Sequence, residues 1–261
     1  MRLRTCCTTA LLTLTLFVGA IADDVASPLT ASRDRTQHFE KAIFANSAGA
    51  PVTVKVNGTF DNCKLSQTLP YVFVVPSRGK TEAFNAKAKD PRAYFSFQTT
   101  EDYRFGDYRV STANRPLQLP YAAGQGFEVL ASGPSGDDFA MPEGTPVMAV
   151  KEGLVISTEA SFSAGGEDEK LKSKTNYVEV AHADGTVARY THLKAVTAKL
   201  GSTVKAGDKL GDSGKVGYAK QPMLHFELTV PTRELGSKGI AHTFTVDGAA
   251  QALTVGSKPK R

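Results

Sequence analysis

Short stretches in which hydrophobic and polar residues alternate recur along this chain, and no long stretch shows the 3.6-residue period of an amphipathic helix. In the first half, valines alternate with polar residues over 52–56, and Asn57-Gly58 is typical of a turn. Residues 71–75 form a short apolar run, and residues 94–98 alternate aromatic with polar positions. These patterns predict a small antiparallel β-sandwich in this half.

The second half shows the same short periods, separated by glycine-rich turns. The strands predicted there cover residues 146–150, 154–157, 177–181, 186–192 and 224–230. Asp184-Gly185 lies between two of them and is typical of a hairpin turn. The whole chain is therefore predicted to be all-β.

Changes in composition divide the chain into six segments. They are a signal peptide (1–22), a flexible polar leader (23–37), an N-terminal β-sandwich-like domain (38–112), a Pro- and Gly-containing linker (113–126), a second all-β domain (127–250) and a basic tail that is expected to fray (251–261).

The first 22 residues have the features of a secretory signal. Arg2 and Arg4 precede an apolar run that is short for a membrane span, and Ala20 and Ala22 form a small-x-small cleavage site before Asp23. A retained membrane anchor is the alternative. The predicted location of the mature chain is periplasmic or secreted.

Charge and cysteine content add few constraints. Signal removal lowers the formal net charge from +5 to +3, which suits attraction to an acidic polymer and an ordinary solvated surface equally well. No nucleic-acid motif is present, and no other stretch is apolar enough to span a membrane. The mature chain keeps one cysteine, Cys63, so an internal disulfide is excluded.

Three motifs occur in order at residues 136–149 (GDDFAMPEGTPVMA), 189–193 (RYTHL) and 222–228 (PMLHFEL). Together they resemble the LytM or lysostaphin-type zinc endopeptidases of peptidase family M23, which cut peptide cross-links in bacterial cell walls. Each motif is weak alone, but the ordered set is specific. The resemblance implies a LytM-type antiparallel β domain with a groove.

The resemblance also implies roles for three residues. Asp138 and His225 stand where the family has zinc ligands, and His192 stands where it has a catalytic base that assists the water. Taken alone, Asp138 would be a surface turn residue and the two histidines would be packed side chains. The assignments therefore depend on the motifs.

Two positions depart from the family pattern. Pro134, four residues before Asp138, replaces the first zinc histidine, and Met223 replaces the first histidine of the HxH triplet. A catalytic zinc needs three protein ligands and an open position, so Asp138 and His225 would hold zinc weakly or not at all. The loss of a basic histidine would separately cost about 10²–10⁴-fold in rate.

Strand alternation decides which neighbours can join the site. Met223, His225 and Glu227 would share one face of the last strand, and Asp137 would point away from Asp138 in an extended segment. Asp137 is therefore a poor substitute for the missing ligand.

The sequence favours a degenerate, catalytically silent family member. Such a protein would use the groove implied by the resemblance to bind peptidoglycan or to regulate a cell-wall hydrolase. Two alternatives stay open. One is an active zinc metalloendopeptidase with an unrecognised third ligand, and the other is a structural β protein without a groove ligand.

Overall fold

The computed structural model describes residues 25–113 and 115–261. Within these ranges the chain is built of strands, with one 3₁₀ turn at Glu169–Leu171, so the all-β prediction is confirmed. No helix in the described part is long and apolar enough to cross a membrane. The predicted signal peptide and its cleavage site before Asp23 lie outside the described residues.

Seven strands form the N-terminal unit: β1 Leu29–Arg35, β2 Phe39–Asn46, β3 Val52–Asp61, β4 Cys63–Leu65, β5 Tyr71–Val75, β6 Lys80–Ala88 and β7 Ser96–Phe105. The strands that follow are β8 Val129–Gly133, β9 Gly136–Phe139, β10 Pro146–Met148, β11 Gly153–Glu159, β12 Gly165–Gly166, β13 Tyr177–Ala181, β14 Val187–Thr191, β15 Leu193–Val196, β16 Thr203–Val204, β17 Lys209–Ser213, β18 Gly217–Tyr218, β19 Leu224–Pro231, β20 Ser237–Gly239, β21 Phe244–Val246 and β22 Ala249–Gln251.

The N-terminal unit consists of two sheets that share one core. Their strand orders are β1-β2-β6-β4 and β5-β3-β7. Alternating residues of both sheets are buried, and aromatic pairs join them: the rings of Phe44 and Phe73 lie 5.1 Å apart and those of Phe84 and Phe97 lie 5.6 Å apart. Such edge-to-face pairs add to the stabilisation that burial of the rings provides.

The predicted turn at Asn57-Gly58 is wrong. β3 continues to Asp61 and pairs with β7 along its whole length. A Cβ at residue 58 would collide with the carbonyl oxygen of Gln98 on β7. Glycine at this position therefore allows two strands to approach closely, which is a different use of the residue from a turn.

The predicted flexible leader is also wrong for residues 29–35, which form the edge strand β1. Its arginines have partners that are distant in sequence. Arg33 and Arg35 donate to the carbonyl oxygens of Phe97 and Phe95 at 3.2 and 2.8 Å. Both also lie within 3.6 Å of the carboxylate of buried Glu40. The polar composition of this segment therefore reflects ion pairing at a sheet edge.

The second unit is dominated by a large sheet with the order β16-β11-β13-β14-β19-β9-β8, in which β20 also pairs with β19. A three-stranded sheet, β10-β17-β15, belongs to the same unit. Both sheets contribute to one core, whose largest side chains include Phe139, Tyr190, Phe226 and Leu210. The β13–β14 hairpin forms around Asp184-Gly185 as predicted.

The segment predicted as a linker, residues 113–126, is packed into this core. Leu117, Leu119 and Tyr121 are almost completely buried. Apolar residues at every second position explain this packing, because they face the same side of an extended chain. The proline and glycine content of the segment obscured that pattern.

The basic tail does not fray. The Tyr121 hydroxyl donates to the carbonyl oxygen of Pro259 at 2.6 Å, and the Arg261 guanidinium donates to the carbonyl oxygen of Tyr121 at 2.8 Å. Backbone hydrogen bonds also join Val129 to Ser257 and Gly124 to Arg261. The tail thus closes over the entry segment of the second unit.

The N-terminal unit covers one end of the outer face of the large sheet. Ile156, Ala181 and Val187 point away from the second core and join the N-terminal core. On β14, Arg189 and Thr191 follow Val187 on the same face. The end of this face that lies next to Thr191 is outside the contact and carries the candidate site.

His182 provides a test of the fold. Its Nδ1 donates to the carbonyl oxygen of Glu152 at 2.7 Å, and its Nε2 has no partner among the described residues. Burial lowers the pKa of His182 from 6.5 to about 4. The neutral ring is therefore favoured in the folded state, and this contribution to stability is lost as the pH falls below 6.5.

Between pH 7 and pH 5 the free energy of unfolding should fall. We expect this fall to be about 2 kcal/mol larger for the wild type than for His182→Gln. Urea unfolding at both pH values measures this difference. His38→Gln is the matched control, since His38 is exposed. An equal pH dependence of the wild type and His182→Gln would contradict the assignment.

Candidate functional site

Strand pairing brings the three predicted site residues together on the outer face of the large sheet. Asp138 on β9 is the direct cross-strand partner of His225 on β19, and His225 is in turn the partner of Thr191 on β14. His192 follows Thr191 in sequence, and its ring lies 6.3 Å from the His225 ring.

His225 lies between two carboxylates. Its Nδ1 donates to Asp138 Oδ1 at 2.6 Å, and its Nε2 is 3.6 Å from Glu227 Oε1. The three side chains are 26%, 24% and 33% exposed for His225, Asp138 and Glu227. Burial lowers the pKa of His225, but the two carboxylates outweigh burial and raise it to about 9. The hydrogen bond from His225 lowers the pKa of Glu227.

Gly136 makes room for this imidazole. Its φ is 125°, which favours glycine, and a Cβ there would lie 2.7 Å from His225 Cε1. The glycine shared with the family pattern therefore has a steric reason: no larger residue fits under the ring.

His192 occupies a strained position with a φ of 66° at the junction between β14 and β15. Its Nδ1 donates to the carbonyl oxygen of Val216 at 2.8 Å. Burial lowers its pKa, so the ring is neutral near pH 7. Because a carbonyl oxygen only accepts, the proton is on Nδ1 and the lone pair is on Nε2. This is the protonation state that a general base requires.

The two departures from the family pattern leave the site without a third zinc donor. Pro134 is exposed in the turn between β8 and β9. Met223 is half-buried just before β19, where its backbone bonds to Gly214. On the other side of Asp138, the cross-strand neighbour is Ala131. None of the three side chains is a zinc ligand.

The remaining donors do not fit a catalytic zinc ion. In residues 25–113 and 115–261 no group of three His, Cys, Asp or Glu side chains is arranged to hold a metal. The His225 nitrogen nearest Asp138 carries a proton that a metal would have to displace. The site is instead an imidazolium held by two carboxylates, beside a neutral histidine.

A row of charged residues on the same face was not predicted. Arg189 is the cross-strand partner of Glu227, and it donates to Glu179 at 2.8 Å. Its guanidinium carbon lies 3.9 Å from the ring centre of Tyr177, a cation–π distance. Alternation along 177–181 and 187–191 could have revealed that these side chains share a face. It could not have revealed that strand pairing places them in one row with His225.

A buried ion pair behind the site was missed as well. Asp137 points to the opposite side from Asp138, where its Oδ2 accepts from His242 Nε2 at 2.7 Å and its Oδ1 accepts from Ser132 at 2.6 Å. His242 Nδ1 donates to the Ile240 carbonyl oxygen at 3.0 Å. Burial lowers the pKa of His242, but its hydrogen bond to Asp137 outweighs burial and raises it. No motif marks this contact in the sequence.

Known proteins resemble this part of the chain. Residues 132–237 match peptidase family M23. Over 103 residues the chain is 37% identical to the peptidoglycan DD-endopeptidase ShyA of Vibrio cholerae, covering 40% of this chain and 22% of ShyA. Over 104 residues it is 34% identical to the cell division protein DipM of Caulobacter vibrioides, covering 39% of this chain and 16% of DipM.

The catalytic domain of lysostaphin from Staphylococcus simulans is a solved structure with 31% identity and a TM-score of 0.32, covering 46% of this chain and 88% of that domain. The chain spans only about a quarter of the length of curated relatives such as ShyA, at 22%, and an uncharacterised metalloprotease of Buchnera aphidicola, at 25%.

Removing one partner of the buried Asp137–His242 pair should lower the free energy of unfolding considerably. Asp137 and His242 are 3% and 6% exposed. We expect His242→Phe to cost about 3–5 kcal/mol, because it leaves an unpaired charge in the interior. The double variant Asp137→Leu/His242→Phe, which removes both charges, should recover part of that loss. Chemical denaturation measures both, and a cost below about 1 kcal/mol for the single variant would contradict the ion pair.

The charges at the site predict opposite protonation states for its two histidines. In zinc-free protein, an NMR titration should show His225 protonated up to about pH 9 and His192 neutral at pH 7. Asp138→Asn removes a charge that favours the imidazolium, so the His225 midpoint should fall. A neutral His225 at pH 7 in the wild type would overturn this description of the site.

Proposed function

Since residues 132–237 belong to peptidase family M23, we propose that this chain is a catalytically silent member of the family that binds peptidoglycan peptides in its groove. The role is extracytoplasmic, in the periplasm or after secretion, and it follows removal of residues 1–22. If the bound partner is a protein, the proposed role is regulation of a cell-wall hydrolase.

The observation that carries the proposal is the direct hydrogen bond between Asp138 and His225. A catalytic zinc site needs three protein donors, and this chain offers two that already satisfy each other. Glu227 is a second carboxylate beside the same imidazolium, with its Oε1 3.6 Å from His225 Nε2. The imidazolium therefore already supplies a positive charge between the two carboxylates, and we expect zinc to bind weakly at most.

The outer face of the large sheet around His225, which we take as the groove, has features that suit a peptide ligand. His225, Glu227 and Arg189 present charged donors and acceptors in a row, and the ring of Tyr177 packs against the Arg189 guanidinium and holds it in place. Polar groups that are fixed on adjacent strands can bind a ligand without first paying the entropy of ordering loops. The matched relative ShyA, named as a peptidoglycan DD-endopeptidase, points to the same polymer as the ligand.

We expect the purified protein to sediment with peptidoglycan sacculi and to release no soluble fragments, with or without added zinc. Arg189→Glu should weaken sedimentation, because it disrupts the charged row; Lys238→Glu, on exposed β20, is the matched control. Chelator-sensitive release of fragments would identify an active endopeptidase. Failure to sediment above an unrelated β protein would favour a purely structural role.

A second experiment restores the missing donors. Pro134→His should raise the zinc content after dialysis towards one ion per chain, whereas Pro134→Ala and Met223→His should not. Cleavage should need Pro134→His and Met223→His together. It should be partial, because the backbone at residue 134 follows the φ that proline fixes, and a small misplacement of a ligand is costly. Elemental analysis that finds one zinc per unmodified chain would contradict the proposal.

A further inference from the structure

A cleft opens beside His192, next to the row of charged residues. Its volume is about 410 Å³, within the usual range for small-ligand sites. The lining residues are Glu143, Phe162, Ser163, Gly165, Lys194 and Lys215, together with Val216. The carbonyl oxygen of Val216 accepts a hydrogen bond from His192 Nδ1, so the cleft lies directly beside His192.

The far wall of the cleft is fixed by backbone hydrogen bonds. The parallel pair β12–β18 joins the loop at 162–166 to the segment at 215–218. Gly217 N donates to the Ala164 carbonyl oxygen at 2.9 Å, and Ala219 N donates to that of Gly166 at 3.0 Å. The cleft is therefore formed before a ligand binds.

The charge of the cleft is positive. Lys194 is paired with Glu143 at 2.9 Å, and both side chains are largely exposed. Lys215 is half-buried and has no carboxylate partner in the described part of the chain. One lysine charge is thus uncompensated beside the apolar side chains of Phe162 and Val216.

The groove floor has the opposite character. Asp138 and Glu227 flank the single imidazolium of His225 there, so carboxylates outnumber the cation around His225, whereas the cleft holds one lysine without a carboxylate partner among the described residues. A ligand that extends from one to the other meets acidic groups first and a free lysine last. This order suits a peptide whose terminal carboxylate enters the cleft.

We propose that the cleft binds the free C-terminal carboxylate of a peptide that lies in the groove, with Lys215 as the residue that selects it. This inference rests on the proposed peptide-binding function. An ammonium next to apolar walls forms a charge-assisted hydrogen bond with a carboxylate, and an uncharged amide in the same place forms a weaker one. Phe162 and Val216 contact the side chain of the terminal residue.

The test uses one peptide in two forms. A tetrapeptide stem released from sacculi is titrated into the full mature protein as the free acid and as its C-terminal amide. We expect the free acid to bind roughly tenfold tighter at low salt, and less so at high salt. A stem amidated only at internal carboxylates should bind like the free acid.

Variants locate the effect. Lys215→Gln should make the acid and the amide bind about equally, whereas Lys238→Gln, on exposed β20, should keep the difference. Equal affinity of the two forms for the wild type, or an unchanged difference in Lys215→Gln, would overturn the inference and leave the proposed function standing. Binding of neither form would overturn both.

Discussion

The contact between Asp138 and His225 is the constraint that the rest of the site depends on. Each residue lies on its own strand, so the 2.6 Å hydrogen bond requires the exact pairing of β9 with β19. Gly136 leaves space for the ring above that pair. Behind the sheet, the buried Asp137–His242 pair holds β9 to the chain after β20. The same strand is thus fixed on both faces.

This arrangement explains how two carboxylates can lie close together on one face of the sheet. Two carboxylates that share a partly buried site repel each other unless a positive charge lies between them. In an active zinc site the metal supplies that charge. Here the His225 imidazolium supplies it, and the raised pKa of His225 reflects the same electrostatic demand. The site can therefore keep its shape with proline at position 134 and methionine at position 223.

Sequence patterns predicted the strands wherever hydrophobic alternation was regular, as in β5 and β19, and the motifs located Asp138, His192 and His225. The errors arose where a residue's partner is distant in sequence. Nothing local to Arg33 shows that it reaches β7. Likewise, 105 positions separate Asp137 from His242. Gly58 indicates a turn until the close approach of β7 is known, because turns and close strand contacts both favour glycine.

The apolar contact between the two units affects their local unfolding. Ile156, Ala181 and Val187 of the large sheet are buried together with side chains of the N-terminal unit. Exposing one side of that contact exposes the other, so we expect the unfolding of the two units to be coupled. A molecule that binds in the groove then shifts both units toward the folded state. We therefore expect a ligand bound near His225 to slow proteolysis of the N-terminal strands, although it does not contact them.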